Sequence, residues 1–176
     1  SGPRDSLPRI APPEVLLPPA LPRSRPRGGP PPMQPPHPPG SMGLPLQPTV
    51  GMIGEHRWPW SYAWQTLREA GARLIFGSDW PVSDINPIAG IESAVTRKLW
   101  KAGLPDQRQS LGDTLASYTR DGAWLEFMED RKGRLKRGFL ADLVVLSGDI
   151  EKAEPEAIHE LKPVLTVCDG RVTFEA

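Results

Sequence analysis

Few side chains in this sequence can bind or transform a ligand, and the best placed of them is Asp79. It lies in Gly77-Ser78-Asp79-Trp80-Pro81, directly after the short apolar run Arg73 to Phe76. A carboxylate therefore stands at the C-terminal end of what reads as a buried strand. Such a group can accept and return a proton, or it can simply be a turn residue, since Asp is common in loops. Trp80 follows it and is placed to wall a site. The chain has three histidines, His37, His56 and His159, and one cysteine, Cys168. His37 closes Gln34-Pro35-Pro36-His37 and reads either as a group beside a substrate or as a solvated loop residue. His159 is expected on the surface. A single cysteine excludes an internal disulfide framework and a cysteine-built zinc site.

The elements that must position these groups begin after a Pro-rich start. Most of the 23 prolines fall before Thr49. Residues 1–32 are read as an irregular Pro/Arg-rich segment, because Pro fixes φ and removes backbone donors. Residues 33–57 carry turn chemistry throughout and are predicted to be one long irregular loop. Trp60, Ala63, Trp64 and Leu67 then fall on one face of a helix that Gly71 is placed to end. Trp58, Trp60 and Trp64 could line a pocket mouth, although helical spacing favours core packing. Ile88, Ile91 and Val95 mark a helix ending near Lys98. Ser110 with Asp113 resembles a capping box that opens another helix, and Ala123 to Met128 is read as helical. From Gly138 the period changes to strands: Ala141 to Leu146, Pro163 to Val167, and Val172 to Phe174 after the hairpin signal Asp169-Gly170. Asp142 is expected to fix the start of its strand, and Pro155 to Leu161 to form one short helix.

Composition narrows the function classes. The 176 residues carry 21 basic and 21 acidic side chains, so no global field favours nucleic acid or an anionic membrane. No apolar run approaches the roughly 20 residues needed to span a bilayer. The start lacks the apolar core of a signal peptide, so a reducing, cytoplasmic setting is the default expectation. Because the first residue is Ser, a missing N-terminus is also expected. Arg23-Ser24-Arg25-Pro26 with the prolines after it could alternatively be a polyproline ligand for an aromatic groove. That would make the chain an interaction module fused to a small α/β domain.

One stretch, Gly71-Ala72-Arg73-Leu74-Ile75-Phe76-Gly77-Ser78-Asp79-Trp80-Pro81-Val82, resembles the amidohydrolase superfamily, closest to the amidohydrolase 3 branch with its N-substituted formamide deformylase-like enzymes. The likeness continues through Tyr118 to Ala123, Lys132 to Leu135, Gly138 to Leu146 and Asp169 to Val172, and reaches back to Met33-Gln34-Pro35-Pro36-His37. It implies a C-terminal fragment of a (β/α)8 TIM-type barrel plus a small β-sandwich element. The expected divisions are 1–32 as degenerate barrel sequence, 33–137 as the last barrel segment, and 138–176 as strands of the small β-domain. It also implies hydrolysis of carbon–nitrogen, non-peptide bonds by metal-activated water in the full-length form. One or two divalent ions, expected to be zinc, would supply that water at neutral pH.

By the resemblance Asp79 is both catalytic carboxylate and metal ligand, and His37, Arg57 and Trp80 contact substrate. The implied substrate is a small amide-type molecule, and a homo-oligomer is compatible with the intact enzyme. The family's His-x-His pair, bridging carboxylate and fifth-strand His have no match here. Pro12 stands where a further His is expected. Decay or frame shifts in a GC-rich coding sequence would leave such a segment, so an inactive truncated remnant is the competing expectation.

Overall fold

The computed structural model describes Val15 and residues 32–176. Its elements are β1 (Pro32–Met33), α1 (Thr49–Ile53), a 3₁₀ helix (Glu55–Trp60), α2 (Trp64–Glu69), β2 (Ile75–Phe76), α3 (Pro87–Thr96), α4 (Leu111–Tyr118) and α5 (Arg120–Leu125). β3 (Leu143–Leu146), a second 3₁₀ helix (Pro155–Glu160), β4 (Pro163–Cys168) and β5 (Arg171–Glu175) follow. The architecture is mixed α/β. β1 and β2 pair in parallel, with Pro32 opposite Ile75 and Met33 opposite Phe76. The other sheet is antiparallel in the order β3-β4-β5.

The first apolar cluster gathers around β2. Met33, Trp64, Leu67, Leu74, Phe76 and Ala94 are buried together, with Trp60, Trp100 and Tyr118 packed against them. The second cluster joins the C-terminal unit to the helices, with Ile158 meeting Ile88 and Ile91 of α3, flanked by Leu111 and Leu115 of α4 and by Leu146. The helix starts follow their side chains. Asn86 accepts the Ile88 N–H at 3.0 Å with Pro87 at the first helical position, which opens α3. Ser110 Oγ accepts the Asp113 N–H at 3.1 Å and donates to the Asp113 carboxylate at 2.7 Å, so the capping pair exists as expected.

The β3–β4–β5 unit also matches its sequence signals. Asp169 (φ 50) and Gly170 (φ 74) are both left-handed, the geometry of the tight hairpin turn expected of Asp-Gly. Asp142 Oδ1 accepts the Asp169 N–H at 2.8 Å, tying the start of β3 to that turn.

Three expectations need correction. Residues 33–57 are not one irregular loop. Met33 closes a strand because its partner Phe76 lies beside it, and α1 and the 3₁₀ helix occupy the far end. Nor is Trp60 to Leu67 a single helix. The backbone breaks at Tyr62, which has φ 49, so Trp60 ends the 3₁₀ helix while Trp64 and Leu67 belong to α2. What survives is the burial, for Trp64 and Leu67 are fully enclosed and do not line a pocket mouth. The fifth helix starts at Arg120 rather than Ala123 and is over by Leu125. The polyproline segment, Pro12 and all but Val15 of the apolar patch Val15-Leu16-Leu17 lie outside the described residues; Val15 makes an antiparallel bridge to Ser61.

Candidate functional site

Asp79 is positioned by the end of β2. The Gly77 N–H donates to the Met33 carbonyl at 3.0 Å, carrying the parallel ladder one residue beyond the strand. The chain then turns. Asp79 takes the left-handed region, which Asp tolerates better than most non-glycine residues. Its carbonyl accepts the Val82 N–H at 2.8 Å, which closes the turn over a cis Trp80–Pro81 peptide. Downstream, the Asp84 carboxylate accepts the Asn86 N–H at 2.9 Å just ahead of the α3 cap. The loop is thus fastened at both ends, with an exposed carboxylate between.

The loop after β1 leaves the same end of the parallel pair. Met33 is opposite Phe76; His37 lies four residues beyond the first and Asp79 three beyond the second. The His37 N–H donates to the Gln34 carbonyl at 3.0 Å, and Pro35 and Pro38 are fully buried. Trp100 Nε1 anchors the next turn through the Pro39 carbonyl at 2.9 Å. The structure therefore brings His37, Asp79 and Trp80 to one end of the strand pair. Trp80 is 65% exposed and stands outside the core. Arg57 is different: it is exposed on the 3₁₀ helix, and no contact ties it to Asp79.

Contacts from α3, α4 and α5 hold this frame. Tyr118 reaches from α4 to Phe76, with ring centroids 5.7 Å apart, and burial raises its phenol pKa far above the ordinary value. Gly90 of α3 makes room for the Tyr118 hydroxyl, as a Cβ there would lie 2.2 Å from it. Buried Asp121 pairs with Arg120 at 3.1 Å and with Arg73 at 3.7 Å, holding the chain just ahead of β2. Arg97 packs its guanidinium over Tyr62, Trp64 and Trp100 and donates to the carbonyls of Tyr62 and Ser61. Burial lowers its pKa to about 10, with the neighbouring Tyr62 and Asp106 opposing that shift. An Arg in Thr96-Arg97-Lys98 at a helix end reads as solvated, so no sequence signal revealed it.

Among the described residues, no group of three or more His, Cys, Asp and Glu side chains is placed to hold a metal ion. His56 is exposed on the 3₁₀ helix. His159 is spent on a surface pair, its Nδ1 lying 2.6 Å from the Glu92 carboxylate. Cys168 is exposed at the end of β4.

Comparison with known proteins decides the kinship. A family model described as the amidohydrolase family matches residues 2–174. The chain belongs to the amidohydrolase family. The match extends through the Pro-rich start, beyond Met33, where the quoted motifs begin.

YtcJ of Bacillus subtilis, named as an amidohydrolase, is 31% identical over 131 residues, covering 72% of this chain and 25% of that protein. The protein LONG AFTER FAR-RED 3 of Arabidopsis thaliana is 43% identical over 90 residues, covering 49% and 15%. N-substituted formamide deformylase of Arthrobacter pascens is 27% identical over 114 residues, covering 63% and 21%. The chain thus spans a quarter or less of the length of these curated relatives.

Two solved structures are similar. An uncharacterized metal-dependent hydrolase from Pyrococcus furiosus superposes with a TM-score of 0.55 at 27% identity, over 71% of this chain and 25% of that one. One from Pyrococcus horikoshii superposes at 0.63 with 23% identity over 91% and 30%, a likeness of fold.

Proposed function

We propose that this chain forms the C-terminal, carboxylate-bearing part of a metal-dependent hydrolase that cleaves carbon–nitrogen bonds other than peptide bonds. One observation carries the reading: in a member of the amidohydrolase family, an exposed Asp79 stands just past the C-terminal end of a parallel strand. Active sites of (β/α)8 barrels lie at that end. On this reading β1 and β2 are the closing strands of such a barrel, and β3–β5 form one sheet of a small sandwich.

Asp79 takes a proton from the attacking water and returns it to the departing amine, which must leave as a neutral molecule. Such proton transfer contributes about 10²–10⁴-fold. Trp80 offers an apolar face to the substituent on the nitrogen, and the His37 imidazole lies within the same loop cluster as a hydrogen-bonding group for substrate. The substrate class is a small amide, with N-substituted formamides the first to try, given the deformylase relative.

A catalytic zinc ion needs about three protein ligands beside its water. The described residues do not assemble them, so proton transfer at Asp79 is the part of the reaction this chain carries. The test joins residues 33–176 to the N-terminal portion of the formamide deformylase and follows amine release. Cleavage that falls at least 100-fold in Asp79→Asn is expected. Equal cleavage by wild type and variant would sink the assignment.

A further inference from the structure

The donor chemistry of the whole chain sets a limit on the proposed site. All three histidines and the lone cysteine are among the described residues, and they are dispersed: His37 after β1, His56 on an exposed 3₁₀ helix, His159 against Glu92, and Cys168 at the end of β4. The remaining residues, 1–14 and 16–31, contain no His or Cys and only two carboxylates, Asp5 and Glu14. Carboxylates alone make a hard oxygen site, which suits Mg²⁺ or Ca²⁺ rather than zinc, a metal bound mostly through imidazole and thiolate.

We infer that residues 1–176, folded alone, do not retain a zinc ion at Asp79, because their nitrogen and sulfur donors are spread over separate elements. The inference rests on the proposed function only for the choice of Asp79 as the site. Loops from the ends of β1 and β2 leave that carboxylate open, and next to it Trp80, Val82 and Ile85 are 65%, 70% and 69% exposed.

The experiment titrates zinc chloride into the metal-free 176-residue chain by calorimetry, in wild type and Asp79→Asn. Thermal midpoints are recorded with zinc and with chelator as a control on folding. The inference expects isotherms for the isolated chain that are identical in wild type and variant, with midpoints insensitive to zinc. Zinc uptake by the isolated chain that survives Asp79→Asn also supports it, since those donors lie elsewhere. One zinc per isolated chain, lost in Asp79→Asn, would overturn it. Amine release by the deformylase fusion is read separately, so failure of the proposed activity would leave this inference standing.

Discussion

Replacing Gly90 by Ala tests the packing that holds both loops of the site. A methyl at position 90 would lie 2.2 Å from the Tyr118 hydroxyl, 3.3 Å from Tyr118 Cζ and 3.8 Å from Pro36 Cγ. Ordinary contact needs about 3.5–4.0 Å, so the hydroxyl must retreat by more than 1 Å. It has little room, because the Tyr118 ring packs on Phe76, which ends β2. Overpacking of this kind costs about 1–3 kcal/mol. Gly to Ala inside a helix returns about 1 kcal/mol of propensity, leaving a net loss of roughly 0–2 kcal/mol. For a chain of this size that lowers the midpoint by up to about 8 °C. The clash is carried mainly by one oxygen atom, so Tyr118→Phe should relieve it: in that background Gly90→Ala is expected to be neutral or slightly stabilising. Calorimetric or circular-dichroism melts of the two singles and the double close the cycle. An equal cost of Gly90→Ala in both backgrounds would refute the wedge.

Other outcomes follow from single contacts. Ser110→Ala removes the cap of α4 and should cost about 1 kcal/mol in denaturant unfolding, with Ser110→Thr close to wild type. Gly133→Ala should destabilise by more than Gly90→Ala, since φ is +83 and the methyl would meet Ala123 Cβ at 2.7 Å and the Thr119 carbonyl at 3.0 Å; a neutral melt would contradict this. The Glu92 hydrogen bond, with help from its charge, raises the His159 pKa above 6.5. The pair's contribution to stability is therefore complete below pH 6.5 and is lost as pH rises through the folded pKa. An NMR titration of His159 should move to lower pH in Glu92→Gln, and an unchanged midpoint would show that Glu92 is not the cause.

The parts of the fold that the sequence revealed are those governed by local rules. Ser110 with Asp113 and Asp169-Gly170 each specify a backbone geometry within three residues, and each is found where expected. The strand ending at Met33 was hidden because its stabilisation is long-range: two residues gain a partner 43 positions away, amid prolines that read as loop. The helical spacing of Trp60, Trp64 and Leu67 gave the buried face correctly, but periodicity carries no trace of the positive φ at Tyr62 that divides it. At the candidate site, Asp79 and Trp80 were legible because a strand-turn signal surrounds them. Arg97 and Tyr118 were not, since their roles depend on aromatic neighbours drawn from distant segments.

The most direct test of the central claim is amine release from an N-substituted formamide by the deformylase fusion, compared between wild type, Asp79→Asn and Asp79→Glu. If Asp79 carries the proton, Asp79→Asn loses about 10²–10⁴-fold in kcat while Asp79→Glu keeps part of the rate and the fold is unchanged by circular dichroism. Wild-type turnover in Asp79→Asn would contradict the account.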